Sequence, residues 1–350
     1  MSRRYRIADV AKYAGVSKSA VSAVLNNRVG EGIRVSEETQ KKIRDAVQTL
    51  GYVPNPVARN LARGRNNLLG VFTFESIFPI DSRNFYYPFL MGIEEEAAAQ
   101  GYDLLLATAS LGPESQGRIY RKGTNRLQLA DGVVLLGQSG DKSEVYRLLD
   151  DGFPFVYVGR RESLNDSISY SAADYAEATR TLTSYVFQHQ HRRLAYLASP
   201  VQNESSQDRH IGFVQAHNAS DVPLDPTLFW RGSPEMFAVE DFQAFLNRNV
   251  TGFIIENDQM AMRVLDIATH LGKMCPRDFS LAVLGDPLSM VETKYMWTTF
   301  KIPRREMGRE AVRLLIQVLT PDSAHSLPYR TVLPCQFVTG NTVSHPSGLV

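Results

Sequence analysis

The sequence predicts an α/β protein: a small all-α head with a helix-turn-helix, then a core of two doubly wound lobes. Three observations predict it. Residues 6–26, RIADVAKYAGVSKSAVSAVLN, set apolar side chains at helical spacing on both sides of Gly15. From Leu68 onward, short apolar runs alternate with helical stretches. Charge divides at the same place: residues 1–65 hold 13 Lys and Arg against 5 Asp and Glu, leaving 25 against 32 in the rest.

The first helix is read from Ile7, Val10, Ala11 and Ala14, and Gly15 breaks it. Ser17 is a good N-cap for a second helix, whose apolar stripe is Ala20, Val21, Val24 and Leu25. Two short helices joined by a glycine-containing turn read as a helix-turn-helix, with the second helix in the DNA major groove. Lys18, Ser19 and Ser22 would then be presented from its first turns. An ordinary helical hairpin is the bland alternative, but the basic charge of this head favours a phosphate-binding module. After the polar stretch NNRVGEGIR, Ser36 caps a third helix with Glu37 and Glu38 in its first turn, where the dipole favours anions. Ile43, Ala46, Val47 and Leu50 form its stripe, and Gly51 ends it. A fourth helix spans 55–63: Asn55 caps it, Pro56 takes its first position and Gly64 stops it. About two turns are too short to hold in water, so this helix should order only against a partner.

In the core, the strand runs are 68–74, 102–108, 132–137, 155–159, 194–198, 252–256 and 280–285. Helical stretches at 86–100, 174–188, 207–217 and 258–272 lie between them. Fully apolar strands alternating with helices mean buried parallel sheets, and their number fits two lobes better than one.

Composition excludes several classes. With 43% hydrophobic and 21% charged residues in 350, the chain is an ordinary multidomain protein. Two cysteines, Cys275 and Cys335, make neither a disulfide framework nor a CxxC zinc site. The basic N-terminus lacks a following apolar run, and no window is long enough to span a bilayer, so a cytoplasmic location is expected. GxGxxG, GxxxxGK[ST], HExxH and GxSxG are all missing, and Gly137-Gln138-Ser139-Gly140 falls one residue short of a nucleophile elbow. His189 and His191 alternate and should point apart. No enzyme activity, cofactor or metal is expected.

The order of these features is specific. IADVAKYAGVSKSAVSAVLNN, then VSEETQKKIRDAVQTLGYVPNPVARNLARG, resembles the N-terminal domain of the LacI family of bacterial transcription regulators. The blocks GIEEEAAAQGYDLLLAT, ADGVVLLG, NDQMAMRVLDIATHLG and WTTFKIPRREMGREAVRLLIQ resemble the family's core, which has the fold of periplasmic sugar-binding proteins. The loop after the second helix is about four residues longer than the family's. The resemblance implies a DNA-binding domain over 1–65 with a hinge helix at 55–63, and an effector-binding and dimerisation core over 66–345. The first lobe would comprise about 67–167 and 299–326, the second about 168–298 and 327–345. DNA contacts would fall to Arg6, Ser17, Lys18, Ser19, Ala20, Ser22, Ala23, Asn26 and Arg34 in the head. In the hinge they would fall to Asn55, Ala58, Arg59, Leu61 and Ala62, with Leu61 wedged between base pairs. The family commonly carries threonine and arginine at Ala20 and Ala23, so an unusual half-site is expected opposite Ala23. The tail TVSHPSGLV lacks leucine heptads, so a homodimer rather than a tetramer is expected, on a two-fold-symmetric operator.

Ligands of such sheets sit at the carboxyl ends of strands. The resemblance places an effector against Phe85, Tyr86, Arg160, Arg209 and Asn257. Two family aspartates are replaced, one by Gly159 and one by Gly285, and only a local shift would let Asp286 serve. Arginines less balanced by acid would favour an anionic sugar derivative over a neutral sugar. The expected function is therefore a repressor whose operator affinity is linked to a small effector bound between the lobes. The rival from another class is a cytoplasmic solute-binding protein or sugar enzyme with a basic head.

Overall fold

The computed structural model describes residues 5–26, 29, 34–52, 66–75, 80–108, 117–137, 142–161, 167–287, 294–320 and 328–346, without the side chains of 80–84. The chain divides into two compact units, Met1–Leu68 and Leu69–Val350.

In the first unit, α1 (Ile7–Ala14), α2 (Lys18–Leu25) and α3 (Glu37–Leu50) surround one small core of Val10, Ala11, Val21, Val24, Ile43 and Ala46. Their ends are set by local chemistry. Gly15 and Gly51 follow α1 and α3 at φ 67° and 58°, where a Cβ would be strained. Ser17 and Ser36 accept from the amides of Ala20 and Thr39, satisfying N–H groups that the first turn leaves unpaired. The hinge expectations at Asn55, Ala58, Arg59, Leu61 and Ala62 lie outside the described residues.

The second unit begins with β1 (Leu68–Thr73), α4 (Ile80–Ala99), β2 (Asp103–Ala107) and a hairpin of β3 (Tyr120–Arg121) and β4 (Thr124–Asn125). Lys122 and Gly123 turn the hairpin, both at positive φ, as a two-residue primed turn requires. β5 (Gly132–Leu136), α5 (Ser143–Asp150), β6 (Phe155–Val158) and β7 (Ser169–Ala173) follow. Next come α6 (Tyr175–Gln188), β8 (Leu194–Ala198), α7 (Glu204–Ala219), β9 (Phe229–Arg231), α8 (Val239–Asn247), β10 (Gly252–Ile255), α9 (Asp258–His270) and β11 (Ser280–Val283). The chain ends through β12 (Thr299–Lys301), α10 (Arg304–Leu319), β13 (Arg330–Leu333) and β14 (Gln336–Val338).

One lobe is built on a six-stranded sheet in the order β13-β7-β6-β5-β1-β2. The β13–β7, β7–β6, β6–β5 and β5–β1 pairs are all parallel. The other lobe has a four-stranded parallel sheet, β11-β10-β8-β9. A short antiparallel ladder between β12 and β14 lies where the chain crosses between lobes. The lobe division is corrected by this pairing. Ser169–Ala173 and Arg330–Leu333 belong to the first lobe's sheet, so the crossings fall near Asp174, Ile302 and Pro334 rather than at 168, 299 and 327. The physical reason lies in the composition of β7. Its sequence, SYSAA, is small and polar, yet it is buried because its hydroxyls are used: Ser171 Oγ donates to the Met307 carbonyl and Ser169 Oγ accepts from the Tyr329 amide.

Two helix pairs cross closely through glycine. An ideal Cβ on Gly92 of α4 would lie 1.8 Å from the Arg305 carbonyl oxygen on α10. One on Gly308 would lie 2.2 Å from that of Phe89, and one on Gly212 of α7 would lie 2.1 Å from that of Ala176 on α6.

His191 pins the C-terminal segment: one ring nitrogen meets Thr251 Oγ1 at 2.9 Å and the other the Ser344 carbonyl at 2.8 Å. His189 turns instead to the Tyr185 carbonyl. Burial lowers the His191 pKa from its ordinary 6.5 to about 4. The folded state therefore binds a proton less readily than the unfolded one. Stability from this group is complete above about pH 6.5 and is lost as pH falls toward 4. Between pH 6.5 and 4.5 the core should lose about 2–3 kcal/mol through His191 alone. Thermal melts of wild type and His191→Asn across that interval check this; equal acid losses in both would remove His191 from the account.

Candidate functional site

In the head, the second helix presents an exposed face. Ser17, Lys18 and Ser19 are exposed, and Ala20, Ser22 and Asn26 are half-buried. Asn26 donates its amide to Ser22 Oγ at 3.2 Å, which ties two polar side chains one turn apart. Arg6 and Arg34 are also exposed. The expectation for Ala23 is corrected. Its side chain is 3% exposed, because it lies beside Ala20 and Val24 on the inward side of α2. It cannot offer a methyl group to a base, whereas Lys18 and Ser19 are exposed and Ser22 is half-buried on the same helix. Lys12 and Tyr13 are exposed as well, the latter by 60%.

In the core, the strand ends of both lobes face one cleft with two joined chambers. The larger, 420 Å³, is lined by Glu75, Phe85, Tyr86, Arg160, Arg161 and Asp208 among others. The smaller, 210 Å³, is lined by Arg209, Glu256, Asn257, Asp258, Gly285 and Asp286 among others. Phe85, Tyr175, Val201, Asn203 and Ser205 line both chambers and form a common wall. All six effector-site expectations thus gather in one cleft, though the structure gives them different tasks.

Phe85 lies at the junction, edge-on to Tyr86 with ring centres 4.9 Å apart, and the Arg304 guanidinium sits 5.5 Å from its ring centre. Tyr86 is buried and donates to Glu75 at 2.6 Å. Burial and that carboxylate push its phenol far above the ordinary range, so it remains a donor. Asn257 caps α9 through its carbonyl oxygen, which leaves its amide group to donate elsewhere. Arg209 is held by the carbonyls of Leu284 (3.0 Å) and Ser205 (3.1 Å) and lies over the Tyr175 ring at 4.2 Å.

The other arginines are paired across the lobes. Arg160, after β6, forks onto Asp208 of α7, with 2.7 Å for the shorter bond. Arg161 lies 3.7 Å from Glu204 at the start of the same helix and donates to the Gly137 carbonyl at 2.7 Å. Arg304, opening α10, pairs with Asp286 after β11. The Ile302 amide also donates to Asp286, at 2.7 Å. Burial holds the Asp208 carboxyl above the usual carboxylate range even beside Arg160. Asp286 accepts one bond on each carboxylate oxygen, so it ties the lobes together while lining the smaller chamber. One expectation is corrected here: the premise for an anionic effector fails, because acids balance three of the four cleft arginines.

Sequence reasoning missed Glu256, although it directly precedes Asn257. Its buried carboxylate accepts from Tyr196 Oη (2.8 Å), the Ser199 amide (2.9 Å) and Ser206 Oγ (2.7 Å). It thereby fixes both ends of the 199–206 segment that forms the common wall. A carboxylate ending an apolar strand was the available signal. Asp208 and Arg161 each adjoin a residue that was selected, but partners this distant in sequence leave no local pattern.

The fold and site define a class: a helix-turn-helix head joined to a two-lobed core of periplasmic-binding type with a ligand cleft at its strand ends. The comparisons agree. The description "Bacterial regulatory proteins, lacI family" matches residues 6–55, and "Periplasmic binding protein-like domain" matches 183–343. The regulator CelR of Thermobifida fusca is 28% identical over 95% of this chain and 96% of its own. The repressor PurR of Vibrio vulnificus is 27% identical over 89% and 91%. Catabolite control protein A of Priestia megaterium is 25% identical over 93% and 96%. Among solved structures, a CelR–cellobiose complex superposes with a TM-score of 0.65 at 27% identity, covering 97% of this chain and all of that one. A Lac repressor dimer bound to operator gives 0.71 at 22%, covering 98% and 100%, a likeness of fold alone. The chain is similar over nearly its whole length to DNA-binding transcription regulators of the LacI family.

Proposed function

We propose that this chain is a homodimeric repressor whose operator affinity is set by a sugar-class effector held in the two-chambered cleft. The observation that carries this reading is the cleft itself. Both lobes contribute its walls, and hydroxyl-matching groups line it: Asn203, Ser205, Asn257, Asp258 and Arg209. An occupant touching both lobes favours one lobe geometry, and through that geometry the affinity of the head for DNA. The complex of CelR with cellobiose supports the sugar class. DNA is read by the exposed face of α2, where Lys18 is the long basic side chain. Lys12, Arg6 and Arg34 supply phosphate contacts, which position without specifying.

Selection from a randomised DNA pool by the full chain tests this reading. A two-fold-symmetric site should emerge, and Lys18→Ala should weaken binding to it by about 1–3 kcal/mol more than to random DNA. A pool without an enriched site, or one in which symmetry is absent, would overturn the proposal.

A further inference from the structure

We propose that the β3–β4 hairpin is a second DNA-contacting element, which holds phosphates of the duplex beyond the half-sites that the head reads. This rests on operator binding by the head and adds a surface of the core to it. Residues 117–126, GRIYRKGTNR, carry four cations and no acid. The core around them is acidic, with 25 Lys and Arg against 32 Asp and Glu over 66–350. Arg118, Arg121 and Lys122 are exposed. Among the described residues, no carboxylate pairs with any of these three side chains. The hairpin belongs to the lobe whose first strand, β1, receives the chain from the head at Leu68.

The cations stand on a fixed backbone. A hairpin this short does not hold alone in water, and its neighbours hold it here. The Glu144 carboxylate accepts from the amides of Ile119 (2.6 Å) and Tyr120 (2.9 Å). Tyr120 Oη donates to Asp151 at 2.5 Å. Arg147 lies over the Tyr120 ring at 4.0 Å and donates to the Gly123 carbonyl at 3.0 Å. Arg126 closes the neck of the hairpin on the Arg118 carbonyl, also at 3.0 Å. Ile119 and Leu127 are buried with Phe72 and Leu135 of the sheet and with Val145 and Leu148 of α5. Glu144 and Asp151 thus hold the hairpin's backbone and its tyrosine rather than its outward cations. Ile119, Tyr120 and Leu127 cover the sheet, so the exposed cations add nothing to packing. A fixed backbone lowers the ordering cost of binding. Duplex DNA presents phosphates densely and releases counterions to each cation that meets one. Such contacts position the protein without reading sequence.

The salt dependence of binding tests this with the full chain on two duplexes: the selected operator alone, and the same operator with two helical turns of added sequence on each side. Three phosphate contacts carry a salt slope of about 2.7. Between about 50 and 200 mM KCl, the flanked duplex should therefore lose about 40-fold more affinity for wild type than for Arg118→Ser/Arg121→Ser/Lys122→Ser. On the bare operator the two proteins should agree within about twofold, because distant charges are screened. Arg118→Lys/Arg121→Lys keeps the charge and should keep the wild-type slope. Lys273→Ser/Lys294→Ser/Lys301→Ser removes the same charge from exposed sites elsewhere on the core and should leave the slope unchanged. Equal slopes for wild type and the hairpin variant on the flanked duplex would overturn the inference and leave the free cations to an acidic protein. An equal drop in the lysine control would overturn it too, by reducing the effect to net charge. Binding by the head is read on the bare operator, so a failure of the operator reading is distinguishable from a failure of this one.

Discussion

Arg209→Ala should cost the response to effector and spare the binding of operator. The guanidinium lies over Tyr175 in the smaller chamber, fixed by two backbone carbonyls, which leaves donors for ligand hydroxyls. A hydrogen bond to a charged group contributes about 1.5–3 kcal/mol, so effector affinity should fall about 10- to 150-fold. The head binds DNA through other residues, so operator affinity without effector should stay within a factor of about three. Arg209→Lys keeps the charge but not the fork, and should recover only part of the affinity. Release of operator at the same effector concentration in wild type and Arg209→Ala would refute the role.

Gly92→Ala should be the most damaging single-methyl change in the core. The added carbon would fall 1.8 Å from the Arg305 carbonyl oxygen, and that oxygen belongs to backbone that cannot swing away. The helices α4 and α10 would have to separate, which also disturbs the seat of Arg304 and so the pair with Asp286. Overpacking of this kind costs about 1–3 kcal/mol and at times more. For a unit of this size that lowers the melting temperature by about 2–5 °C. Glu94→Ala, on the exposed side of the same helix, should change stability by less than about 0.5 kcal/mol. A Gly92→Ala protein melting with wild type would refute the close crossing of α4 and α10.

The sequence made the architecture legible where hydrophobicity had a period. All seven apolar runs became strands, and the four helical stretches became α4, α6, α7 and α9. The caps Ser17 and Ser36 and the stops Gly15 and Gly51 were also readable, because each acts within four residues. The lobe boundary was not. The seryl hydroxyls of β7 are satisfied by backbone 136 and 160 residues away, so a buried strand presents as a polar loop. The same holds for the cleft. Arg160 was selected, but its partner Asp208 lies 48 residues on, and only the fold reveals that the arginines are neutralised. Ala23 failed for a related reason: its position on α2 borders the inward stripe, and burial there depends on packing that periodicity alone does not resolve.

The most direct test of the central claim, that one chain links a sugar cleft to an operator-reading head, is linkage itself. Fluorescence anisotropy would follow the full chain binding its selected operator, with and without the sugar that a thermal-shift screen of the full chain finds to bind. Calorimetry would measure that sugar with and without operator. The account predicts that saturating sugar changes operator affinity by a factor of about 5–150, and that operator changes sugar affinity by the same factor. An operator affinity that does not move at saturating sugar would contradict it.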